Sequence, residues 1–247
     1  AAKFLQINKS NFSTELNFND IKLDVNKWII KELEITSSSV NENIKKYLFH
    51  EVANTLYHFI WHTYCDWYIE FIKSDFIDNN KSSETKQVSG WVFGEILKLI
   101  HPIMPFLTEN IWGSLYDKNN FLMLQKFNDI KVNKDFNDSK NNIQKIIDII
   151  TSVRNVRAEL QIPYKTKINI ILDIKNSSYL NFIKQFNNEI LRLLKINKID
   201  FKNIKNQKNA AYVVLSDISI LIPLDGIINT NKELEKLNKK KESAKIK

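Results

Sequence analysis

Residues 47–73, YLFHEVANTLYHFIWHTYCDWYIEFIK, restrict the fold more than any other part of this chain. Phe49, Val52, Ala53, Leu56, Tyr57, Ile60, Tyr64, Trp67, Tyr68 and Phe71 recur there at three- and four-residue steps. That period predicts one helix with a wide buried face. The rest of the chain agrees with a helical protein. Only four glycines and four prolines occur in 247 residues, too few for the tight turns of a β-sandwich or barrel, so the fold class is mainly α.

Other segments follow the same logic. An Asx residue before KWIIKELEI predicts a capped helix start at 24–28. Residues 75–85 are polar and read as a loop, and 86–100 form an amphipathic helix carrying Val88, Trp91, Val92, Ile96 and Leu99. Residues 117–138 read as a long Asn/Lys/Asp connection. Residues 139–160 return to helix, with Ile143, Ile146, Ile147, Ile150, Val153 and Leu160 inward and Pro163 as the stop. The period then changes. KINIILDI at 167–174 and AYVVLSDISILIPL at 211–224 are short and β-branched and read as strands, with a helix over 179–194 between them: a small α/β unit. From 229 a charged helix begins, its apolar seam at Ile227, Leu234, Leu237 and Ala244 broken by Lys241. Both chain ends are expected to be cut points in a longer protein.

Charge narrows the partners. Residues 195–208 hold five Lys and one Asp (5 − 1 = +4), and 226–247 hold seven Lys and three Glu (7 − 3 = +4), which together equal the whole net charge of +8. Clustered basic charge points to a polyanion, most often nucleic acid, or to a solvated face and tail. Cys65 is the only cysteine, so no internal disulfide is expected, which suits a reducing cytoplasm. No apolar run reaches the length of a membrane span, and no secretory signal is expected.

The compact corner HPIMPFLTENIW, at 101–112, is expected to be structural. Pro102 should end the helix before it, and Pro105 should open the next one, with Glu109 in its first turn. Ile103, Met104, Phe106 and Trp112 should plug the junction. His58, His62 and Cys65, with Asp66 beside them, have the spacing of a zinc triad, but their aromatic neighbours favour core histidines, so no metal is expected. Gly90 and Gly94 precede no phosphate loop, and no Gly-x-Ser-x-Gly elbow occurs. No catalytic residue is found. Arg154, Arg157 and Arg192 are the only arginines in a Lys-rich chain. A guanidinium fork suits a carboxylate or phosphate. The alternative for Arg154 and Arg157 is an internal ion pair to Glu159 or Asp148.

Taken in order, AAKFLQIN, NKWII, FHEVANTLYHFIWHTYCDWYIEFIK, HPIMPFLTENIW, IIDIITSVRNVRAELQIP and ILIPLDGIINTNKELEKLNKKKE resemble the blocks that follow the catalytic core of bacterial valyl-tRNA synthetases. The resemblance covers nearly the whole chain, and CDWYIE, HPIMPF and RNVRAE are its most specific parts. It implies an antiparallel helical bundle of the anticodon-binding type shared by Val, Ile, Leu and Met synthetases at 1–162, a small α/β junction at 163–225, and a truncated C-terminal helix, the start of a coiled-coil arm, at 226–247. It implies valine-accepting tRNA as partner, with Lys3, Phe4, Lys27, Arg154, Arg157, Lys236, Lys239 and Lys240 as RNA-binding residues. The family often has Arg where Lys3 stands. The catalytic His-x-Gly-His and Lys-Met-Ser-Lys-Ser signatures and the editing domain are absent, so this part is expected to bind RNA without ligating valine. No cofactor is expected here, while the parent enzyme would use ATP with Mg. The resemblance further implies a cytoplasmic monomer with no membrane contact. The alternatives are the same domain of an isoleucyl or leucyl enzyme, and a non-enzymatic basic helical scaffold.

Overall fold

The computed structural model describes residues 1–116, 120–127, 129–204 and 209–227. The chain divides into two compact units, Ala1–Ile143 and Gln144–Lys247.

The first unit is helical. It holds α1 (Ala2–Ile7), α2 (Asp24–Lys45) and α3 (Phe49–Tyr57), which runs on through a π-helical stretch (His58–Tyr68) into α4 (Ile69–Ile72). After these come α5 (Asn79–Ile100) and α6 (Pro105–Leu115). α7 (Asn137–Glu159) begins in this unit and continues in the second. α2 lies against α3, the π-helical stretch and α5; α6 and α1 lie against α5. Trp28, Ile29, Ile30 and Leu33 of α2, Tyr64 and Tyr68, Phe71 and Ile72, and Val88 and Val92 of α5 make the core. Burying each such side chain contributes roughly 1.5–3 kcal/mol. Trp28 meets Phe71 edge-on, with centroids 6.1 Å apart.

Sequence and structure part company at three places here. The wide face expected over 47–73 is narrower: α3 buries Val52 and Leu56, while Phe49, Ala53 and Tyr57 are exposed. In the π-helical stretch the Ile69 amide bonds five residues back, to Tyr64. Its wider turn rotates the buried stripe onto Phe59, Tyr64 and Tyr68. Second, 79–85 is helix, not loop. Asp78 caps α5 by accepting from the Asn80 amide at 2.9 Å. Third, α2 has no Asx cap. Glu84 of α5 reaches across instead and accepts from the Lys22 amide at 3.0 Å, the Leu23 amide at 2.9 Å and Asn26 Nδ2 at 3.0 Å. Asp24 is engaged elsewhere, accepting from Ser139 Oγ at 2.6 Å.

The corner ends α5 at Ile100 and opens α6 at Pro105, as the two prolines dictate. Thr108 Oγ1 lies 2.8 Å from His101 Nδ1 and donates to the Met104 carbonyl at 2.9 Å. Glu109 lies beyond the first turn of α6. Its carboxylate accepts the Leu122 and Met123 amides at 2.7 and 3.1 Å, tying down the following connection rather than the helix dipole. Trp112 is buried, stacks on Tyr116 at 4.0 Å and donates to the Asn120 carbonyl at 2.8 Å. Ile103, Met104 and Phe106 do not plug the junction; they are exposed, Phe106 at 91%. Of the four, only Trp112 lies inside.

The second unit adds β1 (Asn169–Ile174), α8 (Ser177–Gln185), α9 (Asn187–Leu194), β2 (Lys198–Phe201), β3 (Ala210–Leu215) and β4 (Ile218–Pro223). The sheet order is β2-β1-β4-β3. β1 and β2 are parallel, joined through α8 and α9, and β3 and β4 are an antiparallel hairpin with β4 against β1. The central strands are buried over Ile170–Leu172 and Ile220–Ile222, which accounts for their β-branched runs. The mainly α fold with a small α/β part is as expected. The described residues contain no helix long and apolar enough to cross a membrane.

Candidate nucleic-acid interface

α1 carries Lys3 and Phe4. Leu5 anchors it from a fully buried position, and Phe4, half-buried, meets Phe76 edge-on with centroids 5.6 Å apart. Lys3 and Ile7 are exposed. The chain after α1 is strapped to α5: the Asn11 amide donates to the Lys86 carbonyl at 2.9 Å, and Ser10 Oγ and Ser89 Oγ share a buried bond of 2.9 Å. Gly90 makes this possible. A Cβ there would stand 1.9 Å from the Asn11 carbonyl oxygen. Gly94 similarly faces the Tyr116 ring. These two glycines therefore serve close packing. Lys27 is half-buried in the first turns of α2.

The histidines are not core residues. His58 and His62 are exposed and Cys65 is half-buried. The rings of His58 and His62 lie 5.5 Å apart, and His62 Nδ1 sits 3.3 Å from Asp66 Oδ2. Among the described residues no His, Cys, Asp and Glu side chains group as metal ligands. The aromatic neighbours that suggested burial, Tyr57 and Trp61, are themselves exposed, stacked nearly parallel with centroids 6.5 Å apart. Together with Ile103 and Met104 they border an apolar hollow of about 330 Å³.

In the second unit Arg154 and Arg157 come together. They line an open cavity of about 600 Å³ with Ala158, Gln161, Ile162 and Tyr164. Arg154 is exposed and donates from Nη2 to the Leu193 carbonyl at 3.2 Å. Arg157 is 5% exposed. Its Nη1 donates to the Tyr164 carbonyl at 3.4 Å, while Nε and Nη2 are buried without a hydrogen-bond partner. No described carboxylate pairs with it, so the ion pair weighed for it does not form among the described residues. Burial lowers the guanidinium's pKa, against a smaller opposite pull from Tyr164.

The end of α7 shapes this cavity, and the end of α9 meets one of its lining residues, Tyr164. α7 closes with Gln161 at φ 53° and the Ile162 amide bonded to the Arg157 carbonyl at 2.8 Å. α9 closes with Lys195 at φ 50° and the Ile196 amide bonded to the Leu191 carbonyl at 3.2 Å. Both are left-handed closures built without glycine, which costs backbone strain. The second places Lys195 Nζ 4.3 Å above the Tyr164 ring. Arg157 lies in the last turn of α7, where the helix dipole favours a cation by about 0.3–1 kcal/mol. A buried cation without a counter-ion costs several kcal/mol. The dipole therefore does not offset it. Tyr164 and Lys195 were not singled out in the sequence, because their placement depends on these two closures.

The family model described as the anticodon-binding domain of tRNA ligase matches residues 26–172, more than half of the chain. The chain belongs to this anticodon-binding-domain family. Its relatives in curated collections include the valine–tRNA ligase of Zymomonas mobilis, 32% identical over 97% of this chain and 28% of the relative. Those of Brucella suis and Staphylococcus aureus are each 29% identical, over 100% and 92% of this chain and 27% of the relative. The chain thus spans a little over a quarter of the length of these relatives. Within this anticodon-binding-domain chain, Lys3, Phe4 and Lys27 belong to the first unit and Arg154 and Arg157 to the second. Lys236, Lys239 and Lys240, and the charged helix expected from 229, lie outside the described residues.

Proposed function

We propose that this chain is the tRNA-binding, anticodon-recognising C-terminal part of a valine–tRNA ligase. The observation that carries the reading is the joint one: the anticodon-binding family model covers 26–172, and valine–tRNA ligases align along 90–100% of the chain. The whole enzyme would join valine to its tRNA using ATP with Mg, in the cytoplasm and as a monomer. This part would contribute affinity and selection, not the ligation step. In this reading the domains are the bundle at 1–162, the α/β junction at 163–225 and the start of the arm at 226–247. Lys3, Phe4 and Lys27 contact the anticodon side, an aromatic beside cations being what splayed bases need. Arg154 and Arg157 hold backbone, and Lys236, Lys239 and Lys240 add unselective attraction to phosphates.

The test is retention of total tRNA on the immobilised 247-residue chain, with the retained species identified. Enrichment of valine-accepting tRNA is expected, with binding that weakens steeply as salt rises. Enrichment of isoleucine or leucine tRNA would reassign the chain to a sister enzyme. Retention of no tRNA would remove the reading.

A further inference from the structure

We propose that the cavity between Arg157, Arg154 and Tyr164 in the second unit is a phosphate site that clasps one backbone phosphate of the bound RNA. The inference rests on the tRNA reading and adds a defined ligand group and place to it. Arg157 is the deciding residue. Arg157 is 5% exposed and belongs to the cavity lining, and its Nε and Nη2, the two donors that form one edge of the fork, have no partner and are covered from solvent, so an entering anion reaches them by displacing what covers them. A carboxylate or phosphate takes such an edge with two parallel bonds. The third nitrogen is fixed by the Tyr164 carbonyl, so the fork is held before any ligand arrives. Arg154, one turn back on α7 and exposed, stands at the open side and is steadied by the Leu193 carbonyl. Lys195, held over the ring of the lining residue Tyr164, is a third positive charge nearby. An anion entering the cavity would remove the cost of an uncompensated buried cation, and a nucleic-acid partner offers phosphates. The open form of the cavity, about 600 Å³, admits a phosphate still attached to ribose on both sides.

The experiment uses the intact 247-residue chain with two probes, inorganic phosphate and tRNA. In chloride buffer, inorganic phosphate should bind the wild-type chain saturably by titration calorimetry and raise its melting temperature. Arg157→Gln should abolish both effects. Arg157→Lys, which keeps the charge and loses the fork, should weaken phosphate binding about tenfold or more. Lys46→Gln, at an exposed position in the other unit, should leave phosphate binding unchanged. Acetate at equal ionic strength should bind more weakly than phosphate; equal or stronger binding would overturn the phosphate assignment in favour of a carboxylate. With tRNA, ethylation of individual phosphates should reveal one whose modification blocks wild-type binding but no longer matters to Arg157→Gln, while the other blocking phosphates persist. The variant's slope of log affinity against log salt should fall by about 0.7–0.9, the share of one phosphate. Wild-type phosphate affinity and an unchanged ethylation pattern in Arg157→Gln would overturn the site and leave the tRNA reading intact. Phosphate binding that vanishes in the variant, without any change in the tRNA pattern, would overturn the assignment to RNA. Failure of the wild-type chain to bind tRNA would overturn the tRNA reading and the RNA assignment with it.

Discussion

Three side-chain positions decide more than their size suggests. At Gly90 a methyl group would meet the Asn11 backbone, whereas Gly113 of α6 has nothing within 4 Å of where a Cβ would be. Gly90→Ala is therefore expected to lower stability by about 1–3 kcal/mol, its clash outweighing a helix-propensity gain of about 1 kcal/mol. Gly113→Ala keeps only the gain and should raise stability by up to about 1 kcal/mol. Urea midpoints of the two variants should move in opposite directions; a Gly90→Ala midpoint at or above wild type would show that the strap on α5 is not in place. Phe4 is the third position. Phe4→Ala should weaken tRNA binding by about 1–3 kcal/mol if the ring stacks on a base, and it also removes the contact with Phe76. Phe4→Leu separates the two effects: it restores bulk without a π face, so affinity should stay low while the melting temperature recovers. Full affinity in Phe4→Leu would place the ring in packing alone. Arg157 was visible in the sequence as an arginine kept among lysines, but its burial was not. Burial depends on how α7 ends, and a left-handed Gln161 carries no signal of the kind a glycine would give.

Elements were legible where their side chains face the core. Most of α5 and α7 follow from apolar period, β1 and the β3–β4 hairpin from β-branched runs, and α6 from Pro105, whereas α2 was read only at its start and from a cap it does not have. The first two turns of α5 were not legible, because Asn79 to Thr85 are polar for a reason that lies elsewhere in space: Glu84 spends its carboxylate on the start of α2. β2 was hidden for a similar reason. Its four residues, KIDF, offer one buried side chain, Ile199, and sit in a stretch whose lysines read as a charge cluster. The Glu84 contact gives an element-scale expectation. Glu84→Ala strips two backbone amides and Asn26 Nδ2 of their acceptor, and Asn26 is fully buried. The loss should be about 1–3 kcal/mol, since water can replace the carboxylate only at the exposed end. Chemical denaturation followed by helix ellipticity measures it. A helix start that simply frays, with no change in midpoint, would mean that α2 does not depend on α5 for its cap.

For the molecule as a whole, alkaline pH is the natural stress. Tyr64 and Tyr68 are fully buried and Tyr116 is half-buried, and desolvation first of all pushes all three phenols above their usual range. Tyr68 donates to Asn26 Oδ1 at 3.1 Å and Tyr116 to the Gly90 carbonyl at 2.6 Å, bonds that need the proton. The folded chain thus holds protons that the unfolded chain releases near pH 10. Stability is full below that value and falls as pH rises further, by about 1.4 kcal/mol per pH unit for each tyrosine. The tyrosinate absorbance that belongs to Tyr64, Tyr68 and Tyr116 should appear together with the loss of helix ellipticity, in one cooperative step; its appearance with the helices intact would contradict this account. The tryptophans divide in the opposite sense. Trp28, Trp91 and Trp112 are buried and Trp67 is half-buried, which leaves Trp61, beside the apolar hollow at the corner, as the one exposed indole of five. A collisional quencher such as iodide should therefore dim a small, red-shifted fraction of the fluorescence and spare the rest, so that light from a single side chain reports whenever anything covers that face.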